Sequence, residues 1–361
     1  MRRKLWLLFF LLIMVSIIGC NSSSNKKDKS EEEKFNTQIA KNVADNYMNA
    51  LMANNIDEAK KCLDKSIIEK TKIESKSNLV IAGWQTEDST EVGKASLFKV
   101  KTAKIMKDKP YSLLEEYKLK VSKKDGEYKI NDISTTESQE VFMENGAIRV
   151  RNKDNVKTQL VVDMSGIPNY AYPKTDGANI ERLETPKSEF GIMTLSYSGS
   201  KLAISTKGNG KSYVAILVID DSMQTQGGQG GGGSQSGAEE GGGGSSGKES
   251  KTGPREIPIG KKILSIDLLK DEIDLITFSK TEKFLNVQYK NQGGTYIKLY
   301  NAESSEVMSK EIEDKFPKSK YDVTLVRFEE ENLIFEVKGK TDNVENGKYE
   351  IDLKDFKIEK L

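Results

Sequence analysis

Three aromatic residues in the second half of the chain, Tyr197, Phe278 and Phe328, each stand before a strand-like stretch, and their spacing constrains the fold more than any other feature. The stretches are Lys201-Leu202-Ala203-Ile204, Phe284-Leu285-Asn286-Val287 and Leu333-Ile334-Phe335-Glu336-Val337. Each is followed by a glycine-containing turn and a second strand pattern: Tyr213-Val214-Ala215-Ile216, Tyr296-Ile297-Lys298-Leu299 and Tyr349-Glu350-Ile351-Asp352. Phe278 to Phe328 is 50 residues. Tyr197 to Phe278 is 81, but that interval holds a low-complexity run from Met223 to Pro254, and removing its 32 residues leaves 49. A weaker copy begins at Phe142, with Ala147-Ile148-Arg149-Val150 and Gln159-Leu160-Val161-Val162-Asp163. Paired strands recurring about every 50 residues match the spacing of propeller blades.

The segment Leu195-Ser196-Tyr197-Ser198-Gly199-Ser200-Lys201-Leu202-Ala203-Ile204, continued by Tyr213 to Asp220, resembles a TolB-type propeller repeat, in which a Phe-Ser-Pro-Asp-Gly-Lys…Ile-Ala strand leads into Tyr…Val…Asp. Gly199-Ser200 stands where that family has Pro-Asp, so its recurring turn acid is missing. Residues 138–361 therefore read as an all-β repeat domain of about four blades, either propeller-like or an open β-meander or sandwich. The run Gly227 to Gly247, rich in Gly, Ser and Gln, has the composition of a flexible linker. It is expected as a surface loop, 223–254, between two blades.

The first third has a different pattern. Phe35, Ile39, Val43, Tyr47 and Leu51 recur at i+4, with Ala40, Ala44 and Ala50 beside them, which predicts an amphipathic helix. Asn55 with Glu58 three residues on predicts the cap of a second short helix, and residues 66–75 a third. After Ser77 the period changes from 3.6 to 2. Leu79 to Ile81, Leu97 to Val100, Leu113 to Val121 and Tyr128 to Ile133 read as strands, with a hairpin turn at Lys124-Asp125-Gly126-Glu127. Helices followed by long antiparallel strands imply an α+β domain, with helices on one face of a curved sheet, over residues 35–137. Val43 to Leu51, Asn55 to Ala59 and Lys124 to Ile130 resemble the nuclear-transport-factor-2-like superfamily. That fold hosts enzymes, binding modules and scaffolds alike.

The N-terminus carries an address. Arg2, Arg3 and Lys4 precede an apolar run of 14 residues, Leu5 to Ile18, where a membrane-spanning helix needs about 20. It reads as a signal peptide, residues 1–19. Ile17-Ile18-Gly19-Cys20 resembles a bacterial lipobox. The resemblance implies cleavage after Gly19, a diacylglycerol on Cys20, and residence on the outer face of the cell membrane. Residues 20–34 hold Ser, Asn, Lys and Glu after the cysteine, a composition that cannot bury a core and serves as a tether.

Composition narrows the chemistry. The formal charge of +1 becomes −2 when Arg2, Arg3 and Lys4 leave, which argues against a nucleic-acid partner. Of 56 basic residues seven are arginine, and the abundance of Lys, Asn, Ile and Glu matches a low-GC Gram-positive source. The chain has no histidine, so Ser–His and Cys–His nucleophiles and His-ligated zinc are excluded. Cysteine occurs only at Cys20 and Cys62, so acylation of the first leaves the second without a disulfide partner. Cys62 reads as a buried structural thiol, or else as a reactive one activated by Lys60 and Lys61.

Other motifs fall short of a site. Gly208-Asn209-Gly210-Lys211-Ser212 lacks the first glycine of a phosphate loop, since Ser205 stands there, and strand follows it; a hairpin turn is expected. Glu329-Glu330-Glu331 and Asp220-Asp221 lack calcium-loop spacing and read as solvated turn charges. Tyr170 and Tyr172, flanked by Pro168 and Pro173, form either a connector over a sheet edge or exposed rings for peptide or glycan recognition. Trp84 is expected in the core. No cofactor or metal site is expected. The reading is a membrane-anchored binding or scaffold module for an envelope protein or peptide. Its rivals are an enzyme or enzyme accessory using carboxylates in the first domain, and an extracellular peptide sensor or immunity-type lipoprotein.

Overall fold

In the computed structural model, residues 35–71, 78–174, 181–220, 256–341 and 344–361 are described. The leader, Cys20, the tether and the run 223–254 lie outside them. Among the described residues three helices come first: α1 (Thr37–Met52), α2 (Ile56–Lys61) and α3 (Lys65–Ile68). Helix α1 buries Ala40, Ala44, Tyr47 and Met48, whereas Ile39 is 45 % exposed and Val43 and Leu51 are only partly buried. The expected i+4 stripe therefore fails as a single face. At 3.6 residues per turn each i+4 step drifts by about 40°, so a series from Phe35 to Leu51 winds about 160° around the axis. The small residues at 40 and 44 let the helix approach the sheet instead. At α2 the cap is as expected: Asn55 Oδ1 accepts from the Glu58 N–H at 3.2 Å.

Strands β1 (Leu79–Val92), β2 (Ala95–Met106), β3 (Tyr111–Lys124), β4 (Glu127–Glu144), β5 (Ala147–Asn152) and β6 (Gln159–Asp163) form one six-stranded antiparallel sheet in sequence order. The β3–β4 hairpin turns on Asp125 and Gly126, both at positive φ (52° and 84°), as a tight two-residue turn requires. The boundary expected at residue 137 falls inside β4. The weaker repeat expected from Phe142 is present as strands, but they extend this first sheet and do not form one of their own.

The rest of the chain is mostly β. Short β7 (Tyr170–Ala171) and β8 (Leu183–Glu184) pair with each other. Strands β9 (Glu189–Leu195), β10 (Lys201–Gly208), β11 (Lys211–Ile219) and β12 (Gly260–Leu269) make a second antiparallel sheet. The third contains β13 (Glu272–Phe278), β14 (Phe284–Asn291) and β15 (Gly294–Asn301). Helix α4 (Lys310–Lys315) leads to the fourth: β16 (Tyr321–Phe328), β17 (Asn332–Gly339), β18 (Gly347–Asp352) and β19 (Ile358–Lys360). The first strands of the second and third sheets meet their neighbours: β9 lies against β2, β3 and β13, and β13 also against β1.

The low-complexity run enters after β11 and leaves before β12, and these strands pair directly, Ile219 opposite Gly260. It therefore interrupts one sheet and does not connect two blades, which corrects the expected placement. Asn209 and Gly210, at φ 53° and 69°, make the β10–β11 turn, so the phosphate-loop-like motif is a hairpin.

The three anchors are all buried, Tyr197 and Phe278 at 1 % and Phe328 at 6 % exposure, but they are not equivalent. Register pairs Leu195 with Leu202, Phe278 with Leu285 and Phe328 with Leu333. The true counterpart of the two phenylalanines is Leu195. Tyr197 lies two residues further on, matching Lys280 and Glu330, and reaches the next sheet: its hydroxyl donates to the Phe278 carbonyl at 3.2 Å. A slip of two keeps the same strand face, which is why the periodicity does not reveal it.

Residues 37–361 form one compact unit. Two buried clusters run across the expected domain boundary. Ala82, Ala103 and Ile105 of the first sheet join Tyr197, Phe278, Leu285 and Phe335. Leu114, Val141, Ile148 and Val161 join Leu195, Leu202, Tyr213 and Leu217.

Candidate functional site

Alternation along β15 places Tyr296, Lys298 and Tyr300 on one face, all buried, with Tyr289 of β14 opposite Tyr296. This face looks toward Asp267 near the end of β12. The Asp267 side chain is 1 % exposed, and four donors surround it. Its Oδ1 accepts from the Lys174 and Leu268 N–H groups at 2.9 and 2.8 Å. Its Oδ2 accepts from the Tyr300 hydroxyl at 2.7 Å and the Lys298 ammonium at 3.3 Å. A buried carboxylate is tolerable only with such partners. Burial, and next the Asp267 charge, push the Tyr300 hydroxyl well above the usual tyrosine range, so it remains a neutral donor.

Beyond this polar floor lies a cleft of about 590 Å³, within the range of small-ligand sites. The turn Lys270-Asp271, Glu313 of α4, Lys318 and the rim residues Pro173 and Glu181 complete its wall. Tyr289 and Tyr296 line it. Burial raises both hydroxyls first, with the negative charge of Glu313 adding to it. Lys318 is spent on Asp271 at 2.8 Å, and its ammonium lies 4.8 Å from the centre of the Tyr289 ring. Asn291 donates to the same Asp271 at 2.7 Å. Lys270 and Glu313 have no ion-pair partner among the described residues and are exposed. Beside the rim acid Glu181, the cleft thus offers one cation and one anion without an ion-pair partner, and two neutral tyrosine edges. That set suits recognition of a group bearing both charges.

Of the cleft's central residues, Tyr296 and Lys298 stand out in the sequence only as strand residues of a repeat, and Asp267, Tyr289 and Tyr300 not at all. The signal was present on β15, where a lysine alternates with tyrosines on an inward face. Tyr170 and Tyr172 are 44 % and 43 % exposed. Tyr170 belongs to the β7–β8 connector, and the Arg182 guanidinium lies 4.0 Å from its ring centre. Glu329 pairs with Arg327 at 2.6 Å, and Asp220 with Lys261 at 3.0 Å; Asp221 lies outside the described residues. Trp84 is core, 3 % exposed, with its indole N–H donating to Asn49 Oδ1 at 3.2 Å. Cys62 is half-buried, not fully buried, and burial pushes its thiol up. Lys61, one of its supposed activators, is bound to Glu58 at 2.5 Å. Among the described residues, no group of three or more acidic or Cys side chains could hold a metal.

The buried acids among the described residues are Glu115 and Asp267. Glu115, on β3, has the Lys104 ammonium at 2.5 Å. Among the described residues Glu115 is thus the one fully buried acid of the first sheet, and it is paired with Lys104.

No family model matches this chain, and a search of curated proteins finds no relative. Among solved structures it is similar to TolB from Acinetobacter baumannii, at 10 % identity and a TM-score of 0.29, over 71 % of this chain and 56 % of that one. It is also similar to an acylaminoacyl peptidase in complex with Z-Gly-Gly-Phe-chloromethyl ketone, at 10 % identity and 0.29, over 77 % of this chain and 32 % of the peptidase. Oligopeptidase B from Leishmania major matches at 8 % identity and 0.25, over 90 % of this chain and 51 % of its own. The chain thus spans between about a third and just over half of each of these proteins.

Proposed function

We propose that this chain is a lipid-anchored lipoprotein of a low-GC Gram-positive cell envelope that binds a short peptide or similar zwitterion in the cleft of Asp267, Tyr289, Tyr296 and Lys298. The observation that carries this reading is the opposite, unpaired charges of Lys270 and Glu313 beside neutral tyrosines. A free peptide carboxylate meets Lys270, its ammonium meets Glu313, and its side chains lie along the rings. The first sheet with its helices acts as an NTF2-like scaffold, and the second, third and fourth sheets act as propeller-like blades around the first strands β9, β13 and β16. The anchor at Cys20 holds the cleft at the outer face of the membrane.

Titrating the purified chain with tri-alanine while following tyrosine fluorescence tests the cleft. Saturable quenching is expected, and Glu313→Gln or Lys270→Gln weakens it about three- to tenfold, roughly 1 kcal/mol. N-acetylated, C-amidated tri-alanine lacks both charges and is expected not to compete. Equal binding of the blocked peptide sinks the reading. The anchor has its own test: Cys20→Ala should leave the protein unprocessed or release it from membranes, since one acyl chain is marginal and two are sufficient for stable attachment. A mutant that stays membrane-bound at the mature size of the wild type would contradict the anchor.

A further inference from the structure

A second cleft, also of about 590 Å³, lies between α1 and α2 on one side and β16 and β18 on the other. Its lining carries Lys61, Lys129, Arg327 and Lys348 against a single acid, Glu58. The whole chain has 56 basic and 55 acidic residues, so four to one is a departure within the lining itself, with Glu127 and Glu329 standing just outside it beside Lys129 and Arg327. Several of these cations are held in place. Glu58 fixes Lys61 at 2.5 Å, and Lys129 donates to the Lys61 carbonyl at 2.8 Å and lies 3.8 Å from Glu127. Arg327 uses its Nε on Glu329 at 2.6 Å. Lys348 has no ion-pair partner among the described residues. Between the cations the wall is apolar, formed by Val43, Ala50 and Val326. The other ligand cleft, near Asp267, has almost balanced charges, so the two differ in kind.

A converging set of cations focuses positive potential in a concave wall, and arginine with lysine is the usual receptor for phosphate oxygens. The apolar wall adds a place for carbon. We infer that this cleft binds a phosphate ester carrying an aliphatic part, the chemistry shared by an anionic phospholipid and a soluble alkyl phosphate. Such a ligand would tie the helices near the start of the chain to the last sheet.

Cys62 lines the same cleft and reports on it. In the full chain carrying Cys20→Ser it is the only thiol. Hexyl phosphate at about five times its Kd leaves about one site in six empty, and alkylation of Cys62 is expected to slow about sixfold. Vesicles of phosphatidylglycerol are the second probe, with phosphatidylcholine vesicles and, at matched ionic strength, inorganic phosphate as controls. Protection by the vesicles alone identifies a lipid head group; protection by hexyl phosphate identifies a soluble ester as a sufficient ligand. Lys348→Gln, alone and with Arg327→Gln, should abolish protection while leaving the unliganded alkylation rate and the melting temperature as in the parent. Failure of both probes to protect overturns the inference. So does equal protection by phosphatidylcholine or by inorganic phosphate, or protection that survives in the double variant.

Discussion

Phe278→Ala is expected to lower the unfolding free energy by about 3–5 kcal/mol, the cost of a large cavity in a packed core. Phe278 is 1 % exposed and ends β13, where residues of the first, second, third and fourth sheets share one cluster. Its backbone carbonyl, which the substitution keeps, takes the Tyr197 hydroxyl, so the effect reads the lost ring alone. Urea denaturation followed by tyrosine fluorescence measures the effect. Tyr197→Phe is the control: it removes the hydroxyl and keeps the ring, and should cost only about 0.5–1.5 kcal/mol. Since Leu195 is the counterpart of Phe278, Leu195→Ala should fall in the range of buried leucine truncations, about 2–5 kcal/mol. A loss below 1 kcal/mol for Phe278→Ala would show that the sheets do not depend on a common core.

Asp267→Ala should be similarly costly, about 3–5 kcal/mol, for an electrostatic reason. It leaves the ammonium of the buried Lys298 without its counter-ion and strands the Tyr300 hydroxyl and the Lys174 N–H. Most of that cost is the penalty of the uncompensated charge, not the worth of the ion pair. Asp267→Ala combined with Lys298→Met should therefore recover a substantial part of the loss. The double-mutant cycle, measured by thermal unfolding at fixed pH, reads the coupling directly. Additive losses in the double variant would mean that the two side chains are not coupled in the folded chain.

Local patterns were legible wherever one short stretch decides the outcome. The Asn55 cap needs only Asn55 and Glu58, and the turns at Asp125-Gly126 and Asn209-Gly210 need only a pair of residues that tolerate positive φ. Strand alternation located β1 to β4 for the same reason. What failed was phase. An i+4 series drifts around a helix, so Ile39 and Val43 left the buried face to Ala40 and Ala44. A slip of two along a strand preserves its face, so Tyr197 stood in for Leu195. The cleft was out of reach for another reason: its wall is assembled from the segment before β8, the β12–β13 turn, β14, β15 and α4. Only tertiary pairing brings Asp267 to Lys298 and Tyr300.

The uninterrupted strand Glu127–Glu144 has a consequence for how this chain can be divided. Where a boundary falls in a loop, the two sides can be expressed apart or exchanged between relatives as cassettes. A cut at residue 137 would split a strand. It would take away Gln139 to Glu144, the stretch of β4 on which β5 is paired. The second fragment would keep the end of a strand without the β3 partner that aligns it. Row upon row of unpaired N–H and C=O groups would then face solvent and invite strands from other molecules. Residues 37–361 are therefore expected to express as one piece, and a fragment ending at residue 137 to aggregate.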